Sequence, residues 1–411
     1  MLTCRAAVQL LATSAVAAVL GGASVRAAER VIEIGVDLSL TGTDADSAAR
    51  IRNGVLMAFD EINAKREIPG YRLEPLILDD ATAKAGQYDP AQAATNARKM
   101  VSDARVMAAI GPMMSGAGRA MTPILSEGGL ATITPSSTSS DLSDPMFAGQ
   151  YKPMGKAIYF RTITTDAFQG PDLANYFADK LHVKSVYVLD DGGEYGVGIA
   201  DAFQKRAVEK GIKVLGRDRL DPRAADYAAV LTKIKSMNPD ALYYGGAAPA
   251  GVKLAKHAYA IIPKVIKGGG DGMYSAAMLS TVGFPAADGW YSTIAVSNVV
   301  QDRSADAWVR QYEAKYNMVP SDYAITAYDA AMVIADAVKR LIADKKAVNR
   351  DTVRDYIQSA KVKTLQGTIA FDANGDLLDH AVSVFQIKKD ANYAADDLVH
   401  QYRYVGAAPP S

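Results

Sequence analysis

The sequence predicts an α/β protein made of two doubly wound parallel-sheet lobes. From Val31 onward, short runs rich in β-branched residues alternate with stretches of helical periodicity, which is the pattern of βαβ units. The strand runs form two groups, one closing before about Thr165 and one starting near Ser185. A chain of 411 residues also exceeds what one hydrophobic core normally serves.

Each expected strand is short, mostly apolar and bounded by polar or glycine-rich residues, as in sheets covered on both faces. The runs are 31–38, 72–80, 106–111 and 130–135 in the first group, and 185–191, 213–220, 241–246 and 264–270 in the second. Between them the apolar spacing predicts amphipathic helices, such as those at 50–64, 170–181 and 226–237.

The last quarter of the chain predicts three helices followed by a hairpin. The helices span 305–316, 324–343 and 351–360. In GTIAFDANGDLLDHAVSVFQI, Asn374-Gly375 is the dipeptide of a tight two-residue turn. The acids around it do not indicate a calcium loop, because the glycine falls between them instead of after them.

Composition excludes some classes of function. The chain has 45 basic and 45 acidic residues and a formal net charge of +0, so nothing indicates a nucleic-acid partner or an anionic membrane surface. The histidines His182, His257, His380 and His400 are scattered without metal-ligand spacing. We therefore expect no metal and no cofactor.

The first 27 residues have the features of a secretory signal peptide. Arg5 precedes a short apolar stretch, and small residues at Val25 and Ala27 fit the positions before a cleavage site. The apolar run is shorter than the ~20 residues of a membrane span. We expect cleavage near Ala27, a periplasmic location, and a mature protein without cysteine, since Cys4 leaves with the signal.

The segment AAIGPMMSGAGRAMTPIL (108–125) carries the first candidate site. After an apolar strand it places Ser115 and Gly116 where a helix begins. The unpaired N–H groups and positive dipole end of that helix favour a bound anion. Ligands of open parallel sheets lie outside the carboxyl ends of strands, which is where these residues stand.

Residues after the other strands suggest that this anion is one end of a zwitterion. We expect a carboxylate to bind the Ser115 hydroxyl and the backbone N–H groups of Ser115 and Thr138. An ammonium would bind Asp271, a backbone carbonyl near Ser136 and the Thr138 hydroxyl. The alternatives are an N-cap or loop role for each hydroxyl, a solvated loop acid at Asp271 and a packing role for Tyr195.

These segments together resemble a known family. The stretches LSLTGTDADSAARIRNGVLMAFDEINA, IGPMMSGAGRAMTPILSEGGLATITPSST, RTITTDAFQG, DDGGEYGVGIADAFQ and DALYYGG occur in this order. With FDANGDLLDHAVSVFQI they resemble the type I periplasmic binding proteins of the leucine/isoleucine/valine class, which deliver amino acids to ABC importers. The likeness runs from about Val31 to about Ile387.

The resemblance implies two similar lobes joined by three crossovers near Thr165, Ala295 and Leu365. The first lobe would be 28–165 with 296–365, and the second 166–295 with 366–411. It also implies roles for five residues: Ser115 and Thr138 for the carboxylate, Ser136 and Asp271 for the ammonium, and Tyr195 as an aromatic wall. A monomer that closes around its ligand and docks on an inner-membrane ABC permease is the implied mechanism.

Departures from the family pattern bear on ligand size. Ala247 and Ala248 follow YYGG where a tyrosine is common, and Ser47 stands where an aromatic is common. A wider pocket beside Asp44, Asp46 and Ser47 suggests an amino acid with a polar or cationic side chain. The alternative is that these acids are solvated loop residues.

Other functions are less well supported by the sequence. DDGGEYGVG has its glycines in the wrong order for a dinucleotide-binding fingerprint, and neither a P-loop lysine nor a G-x-S-x-G elbow follows a strand. We therefore do not expect an enzyme. The open alternative is a protein that binds an amide, an aromatic acid or another small carboxylate for uptake or sensing.

Overall fold

The structure is a computed structural model that describes residues 29–301 and 303–411. The expected signal peptide, its cleavage site and Cys4 lie outside the described residues. No helix within those two ranges combines the length and the apolar character that a membrane crossing needs.

In the described chain the first sheet has five strands, all parallel, in the order β2-β1-β3-β4-β5. The strands are β1 Arg30–Leu38, β2 Tyr71–Asp79, β3 Val106–Ile110, β4 Thr132–Thr134 and β5 Tyr159–Arg161. The chain reverses its direction across the sheet between β1 and β3. That reversal opens a crevice at the carboxyl ends of these two strands.

The second sheet, as far as the structure describes it, has seven strands in the order β14-β13-β10-β9-β8-β6-β7. They are β6 Ser185–Asp190, β7 Lys213–Arg219, β8 Ala241–Gly245, β9 Ile266–Gly269, β10 Tyr291–Ile294, β13 Ser383–Ile387 and β14 Tyr402–Ala407. Strands β6 to β10 are parallel and repeat the order of the first sheet, with the reversal between β6 and β8. The last two strands, β13 and β14, are antiparallel. The second sheet is therefore mixed, whereas the sequence predicted a parallel sheet.

Helices cover both faces of the two sheets. They are α1 Ala45–Lys65, α2 Pro90–Ser102, α3 Ser115–Glu127, α4 Ala148–Tyr151, α5 Asp166–Asp179, α6 Glu194–Glu209, α7 Ala228–Met237, α8 Ala248–Ile261, α9 Asp306–Tyr316, α10 Asp322–Ala343, α11 Arg350–Gln358 and α12 Leu398–Gln401. Apolar side chains of α1 and α10 share a core with β1 and β3. The α/β class with two doubly wound sheets is confirmed.

Helices α1 and α10 cross closely at Gly54. A Cβ atom built at this position would lie 2.1 Å from the carbonyl oxygen of Ala324, so any larger residue would push the helices apart. The first turn of α1 carries Ser47 and the first turn of α10 carries Tyr323. This close crossing therefore fixes the separation of two side chains at the carboxyl edge of the first sheet.

The expected hairpin around Asn374-Gly375 is wrong, although the turn itself is present. Gly375 has a φ of +99°, and the Asp372 carboxylate accepts the N–H groups of Asn374 and Asp376. Beyond the turn only Phe371 and Leu377 bridge. Strand β12, Gly367–Ala370, pairs instead with β11, Lys361–Thr364, while β13 joins the second sheet, whose cores bury its apolar side chains.

The chain passes between the two sheets three times within the described residues: after β5, after β10 and between β12 and β13. The lobe limits at 165, 295 and 365 stay a proposal. Ile369 and Leu377 pack in the core of the first sheet, which favours a third crossing after Leu377.

Candidate functional site

A cavity of about 70 Å³ lies between the carboxyl edges of the two sheets. It is lined by Asp44, Ser47, Met113, Met114, Ser115, Ser136, Thr138, Tyr195, Ala247, Asp271, Gly272, Tyr274, Ser275 and Tyr323. The structure thus brings together seven of the eight residues that the sequence suggested. The eighth, Gly116, lines an adjoining cavity of about 170 Å³ that shares Met114, Ser115, Tyr195 and Ala247 with the first.

Ser115 is the first residue of α3, and its hydroxyl is tied to the neighbouring loop. Its Oγ accepts the Ser137 hydroxyl at 3.1 Å and the Ser139 N–H at 3.2 Å. The lone pairs of Oγ are therefore occupied, while its own proton is available to a ligand. The N–H of Ser115 donates to no acceptor in the described chain, as is usual in the first turn of a helix.

The loop after β4 presents both a donor and an acceptor. Among residues 29–301 and 303–411, the N–H of Thr138 has no acceptor and the Ser136 carbonyl accepts no hydrogen bond. The Thr138 hydroxyl lies beside the Asp166 carboxyl and lowers the pKa of that acid, against the larger effect of burial. The Ser136 hydroxyl holds the adjoining loop by donating to the Met113 carbonyl at 3.1 Å. Thr138 is almost fully buried, so its free N–H faces the cavity and not bulk solvent.

Arg161, a fully buried residue of β5, supports this loop from behind. Its guanidinium donates to the Ser137 carbonyl at 3.1 Å, to the Ser143 hydroxyl at 2.6 Å and to the Ser139 carbonyl. It also forms an ion pair with Asp376, in the turn described above. The loop carbonyls are thereby held away from the cavity. Sequence reasoning gave Arg161 no role, although this residue begins RTITTDAFQG, one of the stretches that resemble the family.

On the opposite wall, Asp271 is buried and accepts two side-chain hydrogen bonds. Tyr323 donates its hydroxyl to Oδ2 at 2.6 Å, and the Gln169 amide donates to Oδ1 at 3.1 Å. The same amide donates to Asp166 at 3.0 Å, so one Gln169 side chain joins two buried carboxyl groups. Thr293 donates to the Gln169 oxygen at 2.8 Å and fixes the orientation of that amide.

Burial raises the pKa of both acids. For Asp166 the charge of Asp271 adds to the effect of burial and moves the pKa well above its usual range. For Asp271 burial is the largest cause, and hydrogen bonds from neighbouring side chains offset it in part. No lysine, arginine or histidine of the described residues lines the cavity. A ligand cation beside Asp271 would therefore stabilise the ionised acid.

Tyr195 forms an aromatic wall that is fixed by its own hydroxyl. The Gly272 N–H donates to that hydroxyl at 3.0 Å, and a Cβ at Gly270 would approach it to 2.3 Å. Glycine at position 270 is therefore what allows the ring to lie against the loop after β9. Ala247 is held by its N–H, which donates to Asp191 at 2.9 Å, and lies between the two cavities.

The three first-loop residues behave differently. Ser47 and Asp44 line the cavity, whereas Asp46 forms an ion pair with Arg50 at 2.9 Å and does not. Burial, and after it the charge of Asp80, raises the pKa of Asp44 to about 6. Sequence reasoning did not find Tyr274, Ser275 or Tyr323, because none of them directly follows a strand.

Comparisons with known proteins agree with this architecture. Residues 31–392 match the family model described as periplasmic binding protein. A leucine-, isoleucine-, valine-, threonine- and alanine-binding protein of Pseudomonas aeruginosa is 29% identical over 91% of this chain and 94% of its own length.

Two solved structures share the fold. A branched-chain amino acid transporter substrate-binding protein, LivJ of Streptococcus pneumoniae with isoleucine, is 24% identical with a TM-score of 0.76 and covers 93% of this chain and 100% of its own. An ABC transporter solute-binding protein of R. palustris with benzoate is 19% identical with a TM-score of 0.74 and covers 92% of this chain and 97% of its own.

Proposed function

The chain belongs to the periplasmic binding protein family, and we propose that it is the substrate-binding protein of an ABC importer for an amino acid. It would capture the solute between its two sheets and deliver it to a permease in the inner membrane. The observation that supports this most strongly is the distribution of polar groups across the cavity. Donors lie on the edge of the first sheet, and an acid with no basic neighbour in the lining lies on the second.

The first-sheet edge suits the α-carboxylate. It offers the Ser115 hydroxyl proton, the N–H groups of Ser115 and Thr138, and the positive end of the α3 dipole. Several hydrogen bonds to a carboxylate in a site with little water are each worth more than neutral ones.

Groups from both halves suit the α-ammonium. Asp271 of the second half supplies negative charge, and the Ser136 carbonyl and Thr138 hydroxyl, from the loop after β4 of the first sheet, supply two acceptors. An ammonium has three donors, which these three groups match in number. The ligand then bridges the two halves of the molecule.

Bridging explains how binding would favour the closed form. An open cleft would separate Ser115 from Asp271, so only the closed arrangement lets both ends of the ligand bind at once. Arg119 of α3 and Glu194 of α6 form an ion pair between the two halves in the structure. Because Arg119 is half exposed, we assign this pair a minor share of the closure free energy. We propose no covalent step.

Calorimetry with analogues that lack one charged group would test this function. The best ligand of an L-amino-acid panel is compared with its amine, which lacks the carboxylate, and its acid, which lacks the amine. We expect each analogue to bind at least ~100-fold more weakly, because buried polar groups lose their partners. If no L-amino acid of the panel gives a heat of binding at millimolar concentration, the proposal is contradicted.

Asp271→Asn serves as the matched variant and Asp288→Asn as its control. Asp288 also lies in the second half, but it is exposed, and its carboxylate accepts the Lys389 N–H away from the cavity. We expect the first substitution to weaken amino-acid binding at least ~30-fold and the second to change it less than ~2-fold.

A second candidate is an aromatic or other small carboxylic acid. The rings of Tyr195, Tyr274 and Tyr323 line the cavity, and the R. palustris structure of the same fold holds benzoate. This candidate needs the donors near Ser115 but not Asp271. If Asp271→Asn leaves benzoate binding unchanged while no amino acid binds the native protein, this alternative replaces the first.

We also propose that residues 1–27 direct export and are removed near Ala27, leaving a monomer in the periplasm. The sequence pattern of this segment supports the proposal. N-terminal sequencing of protein from the periplasmic fraction tests export and cleavage. Measurement of its mass in solution tests whether it is a monomer. An intact N-terminus or a stable dimer would contradict them.

A further inference from the structure

Once the two charged ends of an amino acid are placed, one wall of the cavity is left for its side chain. The loops after β3 and β4 face the carboxylate, and Asp271 faces the ammonium. The remaining polar wall is formed by Asp44 and Ser47, from the segment after β1. This assignment rests on the proposed function.

Asp44 is buried, with 8% of its surface exposed, yet it accepts no hydrogen bond from residues 29–301 or 303–411. Two other acids near it in the chain or the fold have partners. Asp79 accepts the N–H groups of Leu40 and Ala81, and Asp46 pairs with Arg50. An unpaired buried carboxylate is costly, so Asp44 is poised for a partner that the protein itself does not supply.

Two further buried acids, Asp37 and Asp80, lie near Asp44, and the charge of Asp80 also favours a positively charged partner there. Asp37 and Asp80 are fully buried, and each has one carboxyl oxygen without a partner in the described chain. Their remaining oxygens are held by Asn96 and Ser39, both at 2.7 Å, which are neutral groups. Burial, and after it the charge of Asp80, raises the pKa of Asp37 well above its usual range, so Asp37 is neutral and Asp80, with a pKa of about 6, carries the negative charge behind Asp44.

Space for a long side chain lies next to the cavity. The adjoining cavity of about 170 Å³ continues past Ala247, and its lining contains Asp191, which accepts the N–H groups of Gly193 and Ala247, and Glu194, which pairs with Arg119. None of the described lysine, arginine or histidine side chains lines either cavity. Asp44 lines the first cavity and not this adjoining one, so the adjoining space adds room beside the site and does not itself hold the group that Asp44 would bind.

We propose that the ligand is an amino acid whose side chain ends in a cationic nitrogen, and that Asp44 is the residue that selects it. Asp44 binds that nitrogen within the first cavity, where Ser47 lies on the same wall. An aliphatic side chain would leave Asp44 unpaired inside a closed cavity, which disfavours it.

L-Lysine and L-norleucine form the matched pair of probes, because norleucine lacks only the terminal ammonium. We expect the native protein at pH 7.5 to bind lysine at least ~10-fold more tightly, as a hydrogen bond to a charged group typically allows. Asp44→Asn should abolish that preference and change norleucine binding less than ~3-fold. Asp46→Asn, two residues away and outside the cavity, should leave both affinities unchanged.

A native protein that prefers norleucine, or an Asp44→Asn variant that keeps the preference for lysine, would overturn the inference. In either case, the proposed function still stands if norleucine binds the native protein and Asp271→Asn abolishes that binding. If neither probe and no other amino acid binds, the proposed function itself fails. Circular dichroism melting of Asp44→Asn, with Asp44→Ser as a second variant, checks that the fold is retained.

Discussion

The hydroxyl of Tyr323 donates a hydrogen bond to the carboxylate of Asp271 at 2.6 Å. Tyr323 lies in the first turn of α10, which packs on the first sheet, whereas Asp271 follows β9 of the second. The bond therefore joins the two halves at the cavity wall and orients the one carboxylate that would meet the ligand ammonium.

Tyr323→Phe should weaken ligand binding about 3- to 30-fold, mainly through faster dissociation, because the closed form loses a contact and Asp271 loses a donor. Stopped-flow fluorescence measures the dissociation rate. Tyr328→Phe is the control, since Tyr328 lies on the same helix and donates to Glu61 at 2.6 Å away from the cavity. Equal effects of the two substitutions would count against the role of Tyr323.

Arg161→Lys should damage both stability and binding, because lysine keeps the charge but cannot reach several acceptors at once. Breaking the buried contacts with Asp376 and the loop carbonyls should lower the free energy of unfolding by ~3–5 kcal/mol. Urea denaturation measures the stability and calorimetry the affinity. A variant with native affinity would show that the loop after β4 does not need Arg161 for its binding geometry.

Asp44→Asn should stabilise the ligand-free protein at neutral pH. The pKa of Asp44 is about 6 in the folded protein, against ~3.9 in an unfolded chain, so the folded state binds more protons between these values. The free energy of unfolding of the native chain therefore falls as pH rises through that window.

Removing the charge should raise the free energy of unfolding by ~1–3 kcal/mol at pH 7.5 and leave it unchanged at pH 4. Urea denaturation at the two pH values makes the comparison, with Asp46→Asn as the control. A gain at pH 4 equal to that at pH 7.5 would mean that ionisation of Asp44 is not the cause. Asp80, whose pKa is also about 6, keeps part of the pH dependence in the variant.

Gly116→Ala should weaken ligand binding by more than ~10-fold with a modest loss of stability. Its Cβ would lie 2.3 Å from the Tyr88 hydroxyl, so the ring must move within the adjoining cavity, next to the start of α3. Gly149→Ala is the control, since a Cβ there meets no atom within 4 Å. Calorimetry on both variants is the measurement. Native affinity in Gly116→Ala would exclude a role for this helix start.

Much of the architecture could be predicted because each buried strand corresponds to a short apolar run in the sequence. The carboxyl ends of neighbouring parallel strands meet at one edge of a sheet. Residues that follow these strands, among them Ser115, Thr138, Tyr195 and Asp271, are therefore expected to lie close together. That rule needs no knowledge of long-range packing.

The rest depended on contacts that the rule does not cover. Tyr323 reaches the cavity from a helix start that the crossing at Gly54 positions, and Arg161 acts through loop carbonyls distant in sequence. The hairpin expectation failed because Asn374-Gly375 specifies a local turn, while burial of Val384 and Phe385 in the second sheet decides where β13 pairs. Local turn chemistry could not reveal that competition.

A crystal structure of the protein with the amino acid it binds most tightly tests the central claim most directly. The account predicts the ligand carboxylate within hydrogen-bond distance of Ser115 Oγ and the Thr138 N–H, with its ammonium beside Asp271. A ligand bound elsewhere, or one whose carboxylate faces the second sheet, would contradict it.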